Sequence, residues 1–410
     1  MSTAAPQEAR LADGERETVL GAARAYVDKV RAGDVGSLPV ILGMAVIVAV
    51  FTAKVGVFFS AINFNNLVVQ MVPVALIAIG VVFVLLIGEI DLSIGYLAGV
   101  CGVCVAWFAQ PGTHHQVPGL VAIFLAIGLG ALIGLVQGSF VALLGVPSFV
   151  VTLAGLLAME GVIIRWVGSQ AAISIQDKYV NGTANYFLSP GASWVVAAVV
   201  TVGFGVTTIG GLLARRRAGL PVGNPTLAGL RVAGVAVAAF AVVAISNRDR
   251  GLSFAGLLLV AMLVLGTFVA RRTTFGRHVY AVGGNAEAAR RAGINVPFIR
   301  ICVFMISGAA AGLGGVLLAA RLNGVDLTIG GGSTLLDAIA AAVIGGTSLF
   351  GGRGRVVAAL LGALVIRTIA NGLGLLGSSS ATEYMITGVI LLAAVTLDTL
   401  SRRRLERSGR

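Results

Sequence analysis

Residues 271–297 read RRTTFGRHVYAVGGNAEAARRAGINVP, the longest polar, arginine-bearing stretch between apolar runs of this chain. The pattern inside it predicts a short helix of about two turns. Asn285 is the expected N-cap, because its side-chain oxygen can accept a free N–H of the first turn. Gly293 is the expected end, because helices commonly stop at a residue in the left-handed conformation. A connection that only reversed the direction of the chain would need no more than a few turn residues, far fewer than this stretch contains.

The composition of this short helix supports the same prediction. Its interior holds residues of high helix propensity, namely Ala286, Ala288, Ala289 and Ala292. Glu287 lies in the first turn and Arg290 and Arg291 in the last, as the helix dipole favours. Pro297 then opens the next apolar run, where its missing N–H costs nothing. A capped helix in this place predicts a surface for another protein, and the alternative is a solvated loop that is helical without a partner.

Composition assigns the whole chain to the membrane. The 410 residues are 57% apolar and only 11% charged, whereas about a quarter of a soluble protein is charged. Runs with almost no charge recur from Leu38 to Leu400, each close to the roughly 20 residues that cross a bilayer as a helix. The predicted fold class is therefore all-α, a polytopic transmembrane bundle of about 10–12 spans in a lipid bilayer.

Twelve apolar runs are candidate spans, and two of them, 92–108 and 335–350, are short for a full crossing. They are 38–58, 67–87, 92–108, 119–144, 149–167, 194–213, 227–245, 252–270, 299–320, 335–350, 356–376 and 384–400. The predicted organisation is a polar N-terminal segment (1–37) with an amphipathic helix, a transmembrane domain (38–400) with its polar loop at 271–297, and a basic tail (401–410).

The distribution of Lys and Arg predicts the orientation. Arginines concentrate in the two terminal segments, at 215–217, in the loop 271–300 and at 353–355. The loops of the other side hold only Lys178, Arg248, Arg250 and Arg321. Both termini and the capped helix are therefore expected in the cytoplasm. The net charge of +12 follows from this topology, so no nucleic-acid partner is expected.

Two segments of the chain resemble each other. Residues 90–95 read IDLSIG and residues 325–330 read VDLTIG, each before a short apolar run. The predicted topology puts them on opposite sides, as an inverted repeat with irregular backbone along a cavity would. A match of six residues can also arise by chance, and both explanations stay open.

Polar residues near these segments are the candidates for a substrate pathway. They are Glu89, Asp91, Ser93 and Asn323, chosen by polarity and position. For Glu89 and Asp91 the alternative is a tight polar turn with solvated carboxylates. Further ionisable groups border or interrupt the spans, and each is a candidate for a cavity or a pair: Glu160, Arg165, Arg231, Asp337, Arg367 and Asp398. Glu160 and Arg165 lie near one outer end, where they can also reach water.

No motif of an enzyme is present. The three lysines, Lys29, Lys54 and Lys178, stand in no phosphate-binding GxxxxGK[ST] loop, and neither HExxH nor GxSxG occurs. Cys101 and Cys104 lie within an apolar run without a nearby His or Cys, which is typical of small packed side chains. No catalytic residue, cofactor or metal is expected, and ATP, if it drives this chain, is hydrolysed by another subunit.

Four segments together resemble the permease subunits of bacterial ribose/xylose-type ABC sugar importers. They are GEIDLSIGYLAGV (88–100), GVPSFVVTLAGL (145–156), FGRHVYAVGGNAEAARRAGINV (275–296) and LLDAIAAAVIGGTSLFGGRGRVVAALLGALV (335–365). The resemblance implies a permease homodimer in the bacterial cytoplasmic membrane, with a cytoplasmic ATPase and an extracytoplasmic sugar-binding protein as partners. It also implies that the helix at 285–292 fits a cleft of the ATPase, with the coupling residues Gly276, Gly284, Asn285, Ala288, Ala289 and Gly293.

The length of one region separates the two sugar types. Residues 194–270 are long enough for three spans, which is more than the ribose-type pattern has and is similar to xylose-type members. The expected cargo is therefore xylose or a related monosaccharide. Three alternatives stay open: an ABC permease for branched-chain amino acids, a secondary transporter driven by protons or sodium, and a membrane scaffold.

Overall fold

The computed structural model describes residues 38–220 and 224–407. The amphipathic helix predicted within residues 1–37 lies outside the described residues, as do the last three residues of the basic tail. The first part of the chain forms five helices: α1 (Leu38–Lys54), α2 (Ala61–Leu86), α3 (Ile94–Phe108), α4 (Gly119–Leu143) and α5 (Ser148–Val167). A short strand, β1 (Ala172–Ser174), and a short helix, α6 (Lys178–Asn185), follow.

The second part contains the remaining helices and one more strand. The elements are α7 (Pro190–Arg217), α8 (Pro225–Ser246), α9 (Phe254–Arg272), α10 (Thr274–Gly284), α11 (Ala286–Arg291), α12 (Val296–Leu322), β2 (Gly324–Asp326), α13 (Ser333–Ile344), α14 (Val357–Leu375) and α15 (Ser380–Arg407). Strands β1 and β2 pair antiparallel, with Ala172 opposite Asp326 and Ser174 opposite Gly324. The described residues therefore form an all-α fold with one small strand pair, as predicted.

The chain divides into two compact units. The smaller contains residues 188–252, in which α7 and α8 form a helical hairpin and the rings of Trp194 and Phe240 lie 5.8 Å apart. The larger contains residues 37–187 and 253–410. Its core is built on α2 and α12, since α12 packs against α2, α3 and α4, and most side chains of α2 from Val72 to Leu86 are buried.

All twelve predicted spans coincide with helices. In the part of the chain that the structure describes, eight helices are long and apolar enough to cross a membrane, and α1, α3, α13 and the apolar part of α15 are shorter. Several boundaries differ from the prediction: α2 begins at Ala61, six residues before the predicted start at Leu67, and the run predicted to extend to Phe350 ends as a helix at Ile344. The backbone turns at Gly346, whose φ of +102° is incompatible with a helix.

The two similar segments adopt the same local structure. The Asp91 carboxylate accepts hydrogen bonds from the Ser93 N–H (2.9 Å) and hydroxyl (2.7 Å). In the second segment, the Asp326 carboxylate accepts from the Thr328 N–H and hydroxyl, both at 2.8 Å. Matching hydrogen bonds in matching positions favour a true repeat over a chance match of letters.

The ends of the two segments also touch each other reciprocally. A Cβ on Gly95 would lie 2.7 Å from the Gly330 carbonyl oxygen, and a Cβ on Gly330 would overlap the Gly95 carbonyl. Such a mutual contact between equivalent residues is the mark of a two-fold relation. Glu89, beside the first segment, pairs with Arg300 near the start of α12, whereas the second segment follows the end of α12. The first segment therefore begins near the start of α12 and the second near its end, and the two meet at Gly95 and Gly330, as an inverted repeat requires.

Candidate functional site

The predicted capped helix is present as α11, with both predicted caps. The Asn285 side-chain oxygen accepts a hydrogen bond from the Ala288 N–H at 2.9 Å. At the other end Gly293 has a φ of +85°. The Gly293 N–H donates to the Arg290 carbonyl and the Ile294 N–H to the Ala289 carbonyl, both at 3.0 Å. This is a Schellman motif, so local sequence signals alone stop this helix after two turns.

A second helix in the same stretch was missed from the sequence. Residues 271–297 contain α10 as well as α11, joined at Asn285. The Thr273 hydroxyl oxygen caps α10 by accepting from the Gly276 N–H at 3.0 Å. Val279 and Val282 are buried, with 1% and 2% exposure. The signal was available, because a threonine cap precedes apolar residues spaced three to four apart. Helices α10 and α11, residues 274–291, are called the platform below.

The six predicted coupling residues fall into two groups. Four are exposed on the platform and its end: Gly284, Asn285, Ala288 and Gly293. The other two face the interior of this chain. Ala289 is 5% exposed, and a Cβ on Gly276 would overlap the Ala270 carbonyl. The surface open to another protein is therefore narrower than the sequence suggested, and Gly276 and Ala289 support it from beneath.

Charges beside this surface are paired with each other. The Glu287 carboxylate contacts Arg290 at 2.9 Å and Arg291 at 3.1 Å. The hydrogen bond from Arg290, and then that from Arg291, lowers the pKa of the Glu287 carboxyl below its usual value. The carboxylate therefore stays ionised at neutral pH and partly neutralises the two arginines on the exposed face of α11.

The platform contacts two distant parts of the chain. Gly283 packs so closely against the end of α2 that a Cβ would overlap the Leu86 carbonyl. That same carbonyl accepts the Gly352 N–H at 2.9 Å. The Tyr280 hydroxyl donates to the Gly354 carbonyl at 2.9 Å. Displacement of α10 must therefore act on α2 and on the loop between α13 and α14.

Glu89, a predicted pathway residue, also lies beside the platform. Its carboxylate pairs with Arg300 near the start of α12 at 3.2 Å, and the side chains are 16% and 29% exposed. Pairing accounts for a carboxylate at this depth, because a half-buried ion needs a counter-ion. Glu89 therefore joins the α2–α3 loop to α12.

Asp91 and Ser93 are buried and bonded within the chain. Besides the bonds of the Asp91 turn, the Gln137 amide donates to the Ser93 hydroxyl at 2.9 Å. Ser148 and Thr152 of α5 bond to the backbone of Ile90 in the same turn. The turn is tight and polar, as the alternative expected, but its Asp91 carboxylate is buried and not solvated. Gln137, on α4, is a member that the sequence did not single out.

Asn323 lies far from the other three pathway candidates. It adopts the left-handed conformation at the end of α12, with a φ of +52°. The Asn185 amide of α6 donates to its side-chain oxygen at 3.2 Å. Arg300, the partner of Glu89, is near the opposite end of α12, roughly 33 Å away along the helix axis. The structure therefore does not gather Glu89, Asp91, Ser93 and Asn323 into one site.

Two further polar pairs lie within the spans. The Tyr96 hydroxyl of α3 donates to the Glu160 carboxylate of α5 at 3.1 Å, and Arg367 of α14 pairs with Asp337 of α13. Three of these residues were candidates from the sequence as isolated charges. Their pairing was not readable from it, because the partners are 64 and 30 residues apart.

Replacing Asn285 by alanine should loosen α11 specifically. The cap bond to the Ala288 N–H is lost, at a cost of about 1 kcal/mol for a helix that is only two turns long. Hydrogen exchange of the purified protein is expected to speed up at residues 286–291 and not in α12. An equal rise in exchange along α12 would show that the cap has a wider role than ending this helix.

Comparison with known proteins gives a consistent set of relatives. Residues 63–395 match the family described as branched-chain amino acid transport system / permease component. The xylose transport system permease protein XylH of Haemophilus influenzae is 36% identical over 370 residues, which cover 89% of this chain and 96% of that protein. XylH of Escherichia coli is 36% identical over 353 residues, covering 85% and 88%.

A ribose permease is also among the relatives. The ribose import permease protein RbsC of Escherichia coli is 33% identical over 358 residues, covering 87% of this chain and 92% of that protein. No solved structure matches the chain.

Proposed function

Because this chain belongs to the family of branched-chain amino acid transport system permease components, we propose that it is the membrane-spanning subunit of an ABC importer for a monosaccharide. The observation that carries this is the similarity to XylH and RbsC along nearly the full length of each. Those two proteins are named for xylose and ribose. The proposed cargo is xylose or a related sugar.

The platform is the proposed contact with a separate ATPase. Its exposed surface has the small residues Gly284, Ala288 and Gly293, which let another backbone approach closely. Its inner side packs against the end of α2 and is hydrogen-bonded to the α13–α14 loop, so force applied at α11 reaches the membrane helices. The clustered arginines support a cytoplasmic location for the platform and both termini. The membrane is then the bacterial cytoplasmic membrane.

The proposed assembly contains a second copy of the chain and an extracytoplasmic sugar-binding protein. In this scheme the binding protein delivers sugar to the outer mouth of a passage. ATP closes the ATPase dimer, and the two platforms move with it and tilt the spans. The chain itself performs no hydrolysis and carries no cofactor; its part is the passage and the transmission of movement.

Two alternatives differ from this proposal, one in the cargo and one in the energy source. The name of the family favours a branched-chain amino acid, whose fixed charges would require charged partners in the passage. An ion-driven transporter would need a free carboxylate site within the spans. Among the described residues, Asp337 and Glu160 are both bonded to a partner, which disfavours the second alternative.

The test is transport in proteoliposomes. The chain is purified with its partner ATPase and binding protein, and uptake of radiolabelled xylose, ribose and leucine is measured with and without internal ATP. ATP-dependent uptake of a pentose supports the proposal. Uptake of leucine alone would favour the amino-acid alternative, and sugar uptake by this chain alone under an ion gradient would overturn the ATP-driven scheme.

Replacing Ala288 by tryptophan should uncouple transport from ATP hydrolysis. Ala288 is exposed on α11, so the large side chain does not disturb the fold but blocks close approach of the ATPase. Loss of a central interface contact should lower ATP-dependent uptake by about tenfold or more. The control is Ala218→Trp, an exposed alanine at the end of α7. Equal uptake by both variants would count against the platform as the ATPase contact.

A further inference from the structure

The turn at residues 328–332 is irregular backbone between packed spans. It follows β2 and precedes α13, and Gly330 and Gly332 have φ values of +76° and +57°. The turn reaches the body of α3, since a Cβ on Gly99 would overlap the Ile329 carbonyl. Non-helical backbone at membrane depth is tolerated where it is buried in protein or lines a water-filled cavity. Side chains next to this turn are therefore candidates for lining a passage.

On one side of the turn lies the Tyr96–Glu160 pair. A Cβ on Gly331 would be 3.1 Å from the Tyr96 hydroxyl oxygen, which donates to Glu160 at 3.1 Å. Glu160 lies past the middle of the 20-residue span α5, and neither side chain is fully buried. A partly exposed carboxylate at that depth is costly against lipid. It therefore faces water or another polar surface.

The Asp337–Arg367 pair lies in the first turns of α13, the helix that follows the turn, and in the middle of α14. Asp337 is 2% and Arg367 is 19% exposed. The Arg367 Nε is buried and has no hydrogen-bond acceptor in the described residues 38–220 and 224–407. The Tyr384 hydroxyl of α15 also reaches the turn, 3.6 Å from where a Cβ on Gly332 would be. The Arg367 guanidinium therefore has a donor that the described side chains and backbone do not use.

We propose that four residues form a polar band that contacts the sugar midway through the membrane: Tyr96, Glu160, Arg367 and Tyr384, with the buried Asp337 holding the Arg367 guanidinium in place. The inference rests on the proposed function. The band combines a carboxylate acceptor, guanidinium and phenol donors, and two aromatic rings, with both repeats contributing. Hydroxyls of a sugar both donate and accept, so they match this set, and the ring faces can cover the apolar C–H side of a pyranose.

The band differs in kind from the four residues chosen by sequence position. Asp91 and Ser93 are satisfied within their own turn, and Glu89 is held by Arg300. Tyr96 and Glu160 instead leave part of each side chain exposed beside irregular backbone. Weak contacts of this kind suit transport, since a sugar bound tightly midway would not leave.

The test compares Tyr96→Phe and Glu160→Gln with Thr207→Val. Each change keeps the shape of the side chain. Thr207, on the exposed surface of α7, loses a hydroxyl that bonds only its own helix in the described chain. The complete transporter, with ATPase and binding protein, is measured in proteoliposomes with xylose and with xylose analogues that lack one hydroxyl. The same samples are assayed for ATP hydrolysis stimulated by the loaded binding protein.

Tyr96→Phe and Glu160→Gln are expected to lower xylose uptake per ATP hydrolysed by about tenfold, as loss of one hydrogen bond to a charged or polar partner does. The ratio of xylose to deoxy-analogue uptake should fall toward one, while Thr207→Val leaves both unchanged. If Glu160→Gln lowers the amount of protein inserted in the liposomes, the result with Tyr96→Phe decides the test, because that change removes only one oxygen atom. If Tyr96→Phe changes neither the xylose uptake per ATP hydrolysed nor the ratio of xylose to deoxy-analogue uptake, the proposed polar band is wrong, while the proposed function stands. Failure of the wild-type assembly to take up any sugar would overturn the proposed function itself.

Discussion

Replacing Gly283 by valine is expected to abolish ATP-driven uptake and to lower the thermal stability of the purified protein. The added side chain would occupy the space of the Leu86 carbonyl and the Gly352 N–H, both main-chain groups that cannot rotate away. Overpacking of this kind costs typically 1–3 kcal/mol, and more where backbone must shift. The platform would separate from the end of α2, so the proposed contact with the ATPase would no longer be transmitted to the spans.

The neighbouring residue supplies a matched control. Gly284 is in the same helix, and a Cβ there meets no atom within 4 Å. Gly284→Val therefore carries the same helix-propensity cost without the overlap. We expect the melting midpoint of Gly284→Val to stay near that of the wild type and the midpoint of Gly283→Val to fall clearly. Equal midpoints for the two variants would show that the packing of α10 on α2 is not needed for stability.

Replacing Asp337 by alanine should destabilise the protein by about 3–5 kcal/mol, because it leaves the Arg367 guanidinium buried without its counter-ion. The second change Arg367→Met removes the uncompensated charge and fills similar volume. The double variant should therefore be considerably more stable than Asp337→Ala alone. Thermal unfolding followed by loss of the monodisperse peak in size-exclusion chromatography measures the three proteins side by side.

The exposed pair on α11 is the comparison for this experiment. Glu287→Ala breaks contacts with Arg290 and Arg291 at the surface, where ion pairs add little, and no measurable change of the midpoint is expected. If Asp337→Ala and Glu287→Ala unfold at the same temperature, the Asp337–Arg367 pair is solvated in the membrane-embedded protein. Its role in the polar band would then concern sugar contact and not stability.

The features that the sequence predicted well are those encoded locally. Asn285 and Gly293 cap α11 because an N-cap oxygen and a left-handed glycine act on residues three to five positions away. The spans follow from runs of apolar residues, and the resemblance of 90–95 to 325–330 is visible in the letters. Each of these signals lies within a few residues of the structure that it specifies.

The features that the sequence did not predict depend on contacts between distant residues. Glu89 and Asn323 were both pathway candidates because they are polar. In the structure Glu89 pairs with Arg300 near one end of α12, and Asn323 bonds with Asn185 near the other end. Whether Ala289 faces out or in depends on how the platform lies on the bundle. Glu160 was identified as a charge near the end of a span, but only the packing of α3 on α5 gives it Tyr96 as a partner.

The attachment of the platform has a consequence for how the two repeats move. The Leu86 carbonyl faces Gly283 and lies at the end of α2, the helix that precedes the first repeat segment. Its hydrogen-bond donor, Gly352, belongs to the loop after α13, the helix that follows the second repeat segment. A displacement of the platform should therefore act on both repeats together, on the first through the end of α2 and on the second through the loop after α13. Because main-chain atoms make this contact, it requires glycine at position 283, which leaves room for the Leu86 carbonyl and the Gly352 N–H.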